Sequence, residues 1–87
     1  MKADKKKMEQ LIKTVKGQMD GILKMMDEDR YCIDISNQIL SAQAILSKVN
    51  REVLKAHLEH CVQEASNQEE NHEKIQELKT VLDKLIK

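Results

Sequence analysis

Residues 31–65 read YCIDISNQILSAQAILSKVNREVLKAHLEHCVQEA. Apolar residues recur at Ile35, Ile39, Ala42, Leu46, Val49 and Val53 in alternating steps of four and three, with Leu40, Ile45, Leu54 and Leu58 widening the face. That is a helical period, and neither Gly nor Pro interrupts it. The pattern predicts one helix over about 31–65, far longer than the mean globular helix of about 11–12 residues, and such length marks a bundle or an oligomer seam. Cys32, His57 and Cys61 all fall on it. On a straight helix Cys32 and Cys61 stand roughly 43 Å apart at about 1.5 Å per residue, so the three ligands cannot meet within one chain. A site built from them has to span two chains.

Upstream, Met8, Ile12, Val15, Met19, Ile22 and Met26 repeat the same steps and predict a first helix over about 4–27, weakened but not ended by Gly17 and Gly21. The run Asp27-Glu28-Asp29-Arg30 breaks the pattern as a turn, with Asp29 expected to N-cap the long helix. Downstream, the polar residues 66–71 read as a loop, and Ile75, Leu78, Leu82 and Leu85 define a short third helix over about 70–86. The chain is thus expected to be all-α and a single domain over 1–87, a three-helix protomer with a long central helix. Three such helices do not close a core alone. The long helix is expected to pair with its own copy as an antiparallel dimer centred near Ile45. That register sets Cys32 opposite the His57 and Cys61 region of the partner, twice per dimer by the two-fold axis.

Composition supports a helical, self-associating chain. There are 87 residues, no Pro, two Gly and one aromatic, Tyr31. At this size a monomer buries only about 60–65% of the surface its unfolded chain exposes. Formal net charge is zero, but residues 2–16 hold six lysines (Lys2, Lys5, Lys6, Lys7, Lys13, Lys16) against Asp4 and Glu9, while residues 64–77 hold five glutamates against Lys74. An assembly would gather the basic ends into a surface able to contact phosphates, although most lysine runs are simply solvated. No apolar targeting core or membrane span is visible, so the chain reads as cytoplasmic with reduced thiols. No phosphate loop, paired-carboxylate motif or Ser-His-Asp arrangement suggests an enzyme.

Two thiolates and one imidazole are soft donors that select Cu(I) or Zn(II) over Mg, Ca or Mn. Three ligands match trigonal Cu(I); structural zinc usually takes four, so a zinc site, less natural here, would need another residue or water as its fourth ligand. The i,i+4 spacing of His57 and Cys61 puts both on one helical face about a turn apart. By itself that pair is a weak signal; a third ligand at the mirrored position strengthens it. The bland reading is that both cysteines are small buried residues. His60 and His72 read as surface residues, and Met8, Met19, Met25 and Met26 as packing rather than a methionine box. Outside metal chemistry, the competing class is a structural helical interaction module with incidental cysteines.

Glu28-Asp29-Arg30-Tyr31-Cys32, then Gln38-Ile39 and His57-x-x-x-Cys61, with Gly17-Gln18 and Gly21-Ile22 in the first helix, resembles the copper-sensitive operon repressor (CsoR) family over most of the chain. The resemblance implies an all-helical, DNA-binding transcriptional repressor, assembled as a dimer of dimers (a homotetramer), that binds Cu(I) between protomers and then releases operator DNA. It implies Cys32, His57 and Cys61 as ligands, with Tyr31 and Glu77 as outer partners that couple the metal to the third helix; Lys13, Lys16 and Lys48 are the candidate DNA contacts of this chain. Many relatives carry two arginines before the Gly-Gln pair, where this chain has Leu11 and Thr14. A related branch senses persulfides without any metal: there the Cys32 thiolate would attack a sulfane sulfur and Cys61 of the partner subunit would resolve the product. Retention of His57, Tyr31 and Glu77 favours copper. Nickel, cobalt and formaldehyde sensors of the family usually replace the second cysteine.

Overall fold

A computed structural model describes the backbone of residues 1–64 and 68–86 and the side chains of residues 1–60 and 72–85. The elements are α1 (Lys5–Asp27), α2 (Cys32–Glu64) and α3 (Gln68–Ile86), with no strand among the described residues. The expected all-α, three-helix protomer with a long central helix is what is found. Residues 68–69, expected in the loop before a third helix starting at about 70, are already helical. Polar composition alone does not separate a loop from the first turn of a helix, where acidic residues are favoured in general. Residues 66–67, the rest of that expected loop, and residue 65, the expected end of the long helix, lie outside the described residues.

The start of α1 is capped by Asp4, whose carboxylate accepts the Lys7 backbone N–H at 3.2 Å. Its end is a double reverse bond. Arg30 N–H donates to Met25 O at 3.0 Å and Asp29 N–H to Met26 O at 3.1 Å, while Asp29 takes φ 51. This is the Schellman arrangement, with Asp29 in the left-handed position that glycine usually fills. The expectation that Asp29 caps α2 is therefore corrected. No glycine lies between α1 and α2, the two bonds require a left-handed residue there, and Asp is among the few that tolerate it. Tyr31 precedes α2 instead, and its carbonyl accepts the Ile35 N–H at 3.2 Å.

The chain divides into two compact units: Asp4–Asn50, and Met1–Ala3 with Arg51–Lys87. In the first, α1 and the opening part of α2 form a hairpin. The sequence stripe of α1 splits into two rows of period seven. Met8, Val15 and Ile22 are buried, whereas Ile12, Met19 and Met26 stay 44%, 56% and 49% exposed. The long helix repeats this split: Ala42 and Val49 are buried, and Ile39 and Leu46 are exposed. One row closes the hairpin, and the other lies open on it. Val15, Met19, Ile22, Leu23, Met26 and Ile39, with Ala42, Gln43 and Leu46, line a groove of about 330 Å³. In the second unit Leu54 and Leu58 of α2 and Leu78 and Leu82 of α3 line a groove of about 360 Å³ with Arg51, Glu52 and Lys55 at its rim. Leu78 is the buried anchor there.

Candidate metal centre

Cys32, His57, Cys61 and Glu77 are carried by helices, and Tyr31 stands in the link just before α2. Cys32 is the first residue of α2, a free and exposed thiol. Its neighbours Tyr31 and Ile33 are 68% and 55% exposed, so no core packing holds this end of α2 within the protomer. His57 is exposed on the same helix. Cys61 follows four residues later within α2, about one turn on, with its side chain outside the described residues. Glu77 is exposed on α3. Tyr31 and Cys32 belong to the Asp4–Asn50 unit, and His57, Cys61 and Glu77 to the other. Among the described residues, no three of His, Cys, Asp or Glu gather around a common point.

The donor chemistry of these residues fits Cu(I). Thiolate and imidazole are the ligand types that a soft monovalent ion prefers, and Cys32 and His57 are both exposed to receive it.

The expected DNA contacts are also at the surface. Lys13 and Lys16 are exposed three residues apart on α1, and Lys48 is exposed on α2. Lys5 and Lys24 are drawn to Glu9 and Glu28 at 3.9 and 4.0 Å. Among the described residues no ion pair occupies Lys13, Lys16 or Lys48, so their charge is available to an outside anion. Sequence reasoning missed Leu23 and Gln43 as part of the open groove. Leu23 carries a findable signal, since it stands i,i+4 from Met19; Gln43 carries none.

A model of a family described as metal-sensitive transcriptional repressors matches residues 4–84. The chain is 38% identical over 76 residues to the copper-sensing transcriptional repressor CsoR of Bacillus subtilis (strain 168), covering 87% of this chain and 75% of that protein. It is 46% identical over 50 residues to the copper-sensing repressor CsoR of Mycobacterium tuberculosis (strain H37Rv), covering 58% of this chain. That match spans 42% of the mycobacterial protein's length. Among solved structures, the copper-sensing repressor CsoR with Cu(I) from Geobacillus thermodenitrificans NG80-2 superimposes with a TM-score of 0.81 at 33% identity, over 100% of this chain and 94% of that one. The nickel-responsive regulator InrS shares the fold, with a TM-score of 0.79 at 24% identity over 98% of this chain and 96% of that one. No helix among the described residues is long and apolar enough to cross a membrane.

Proposed function

The chain belongs to the metal-sensitive transcriptional repressor family, and from that premise we propose that it is a DNA-binding repressor, not an enzyme, that takes up Cu(I) between two copies of itself and thereby releases operator DNA. One observation carries the copper assignment: the chain's two thiols, Cys32 and Cys61, share α2 with a His57 imidazole four residues before Cys61, and Cys32 and His57 are exposed. Support comes from the relatives, which include copper-sensing repressors and a repressor with Cu(I).

Cys32 would supply one thiolate, and His57 and Cys61 of the partner subunit an imidazole and a second thiolate. Both thiols must lose their protons to do so, so uptake is accompanied by proton release. Bound Cu(I) supplies a bridge between protomers. Tyr31 lies beside Cys32 in sequence and Glu77 stands on α3; in this reading they orient the ligating side chains. The half-open apolar row of Ile12, Met19, Met26, Ile39 and Leu46 supports self-association, because these residues would otherwise stay wet. Two dimers joined as a tetramer would align the Lys13, Lys16 and Lys48 surfaces along DNA. Release follows from linkage: derepression requires that the DNA-incompetent state hold copper more tightly than the DNA-bound state does.

The test is a DNA-binding titration of the full chain with Cu(I) and, separately, with an organic polysulfide, followed by intact mass. Release by Cu(I), held against a competing chelator and lost in Cys32→Ser, is the expected result. Release only by the polysulfide, with a covalent link between Cys32 and Cys61 of the partner subunit, would replace copper with sulfur as the inducer. A monomer indifferent to both would leave only a helical interaction module.

A further inference from the structure

We propose that Asp29 is a positioning residue for Cys32: its left-handed backbone, tied to the end of α1, fixes where the first residue of α2 presents its thiol. The inference rests on the reading of Cys32 as the reactive ligand. Only four residues, 28–31, join α1 to α2. Glu28, Asp29 and Arg30 each return a backbone N–H to α1, at Lys24 O, Met26 O and Met25 O, over 3.0, 3.1 and 3.0 Å. Tyr31 gives its carbonyl to Ile35 of α2. Every residue of the link is thus committed to one helix or the other.

The direction of the link turns on Asp29, the one non-glycine residue with positive φ among those described. Were residue 29 right-handed or extended, the Arg30-to-Met25 bond could not close. The chain would then leave α1 in a different direction and carry Cys32, two residues beyond Arg30, with it. Side chains do not offer a substitute restraint. The Arg30–Glu28 and Lys24–Glu28 pairs, at 3.8 and 4.0 Å, are exposed and weak. Tyr31, Cys32 and Ile33 are all exposed, and Ile35 is the first residue of α2 to be partly covered. Backbone geometry alone therefore sets the thiol within the protomer. Metal ligation is sensitive to ligand displacements of about 0.5 Å, and a ligand displaced by the turn would bind worse without any change in donor type.

The experiment is a substitution series, Asp29→Gly, Asp29→Asn, Asp29→Ala and Asp29→Val. Two quantities are read: the alkylation rate of Cys32 in metal-free protein on a Cys61→Ser background, and Cu(I) affinity of the chain with both cysteines, by chelator competition. Gly and Asn accept the left-handed region and should keep parental values. Val is β-branched and rejects it, and should shift the alkylation rate severalfold and weaken Cu(I) binding about tenfold or more, the scale of lost ligand support, at unchanged helix content. Parental rate and affinity in Asp29→Val overturn the proposal. If that variant loses its helices, the comparison of Gly with Ala decides in the same way: Ala weaker than Gly supports it, and equality overturns it. Parental copper binding in Cys32→Ser would remove the copper reading, while the alkylation series would still decide whether Asp29 places the thiol.

Discussion

Met19 of α1 and Leu46 of α2 line the same apolar groove, and both remain open to solvent in the protomer, at 56% and 44% exposure. They sit on helices whose alternate rows, Val15 and Ile22 on one side and Ala42 and Val49 on the other, are already buried. The hairpin buries half of each apolar stripe in itself, and in the proposed assembly a second copy covers the other half. Leu46→Asp should therefore split the assembly. Full burial of a leucine contributes about 1.5–3 kcal/mol, and a two-fold interface would forfeit it twice, so the dissociation constant should rise by about a hundredfold or more. Sedimentation velocity across a dilution series checks this; an unshifted association would mean that the groove is not the interface.

In the proposed site, His57 is the residue on which metal as opposed to sulfur chemistry rests, because the two thiols would serve either. His57→Ala should keep part of the copper affinity through Cys32 and Cys61 while losing most of the copper-dependent release of DNA. Site-to-site coupling of this kind is worth about 1–3 kcal/mol, or roughly 5–150-fold in DNA affinity. Fluorescence anisotropy of labelled operator, with and without Cu(I), reads it directly. Release at the parental copper dose would refute the role given to His57.

The periodicity of residues 31–65 made the long helix legible, and with it the placement of Cys32 and His57 on one element. What period cannot reveal is which partner buries a given row. Met8 and Ile12 look alike as members of one stripe, yet Met8 is 4% exposed and Ile12 44%, because hydrophobic spacing does not say which neighbour covers a residue. Asp29 was illegible for a different reason. The property that makes Asp a good N-cap, a short polar side chain that competes with regular backbone, also lets it adopt the left-handed position that closes a helix. The start of α3 at residue 68, earlier than the expected 70, was hidden because a polar stretch reads equally well as a loop or as a first helical turn.

Gly17 and Gly21 are exposed within α1, and a Cβ built on either meets nothing within 4 Å. Neither has positive φ, so no backbone requirement for glycine exists inside the protomer. Gly17→Ala and Gly21→Ala should each stabilise the chain by about 0.5–1 kcal/mol through helix propensity, read as a higher urea midpoint at unchanged slope. Should the double variant unfold more easily than the parent, another molecule must approach that face closely in the assembled protein.

Lys13 and Lys16 differ from Lys5 and Lys24 in having no ion pair among the described residues, although all four are exposed on α1. A lysine already drawn to a carboxylate must give up that pairing before it can meet a phosphate, whereas Lys13 and Lys16 need not. Lys13→Ala and Lys16→Ala should therefore weaken DNA binding more than Lys5→Ala does, and about equally on operator and unrelated duplex, since phosphate contacts carry no sequence information. Removing one lysine–phosphate pairing should flatten the slope of log affinity against log salt by about 0.9. Lys48→Ala, a change on α2, should add to this if the same DNA crosses both helices. Binding isotherms at several salt concentrations give the slopes, and unchanged slopes in the Lys13 and Lys16 variants would place the DNA surface elsewhere on the protein.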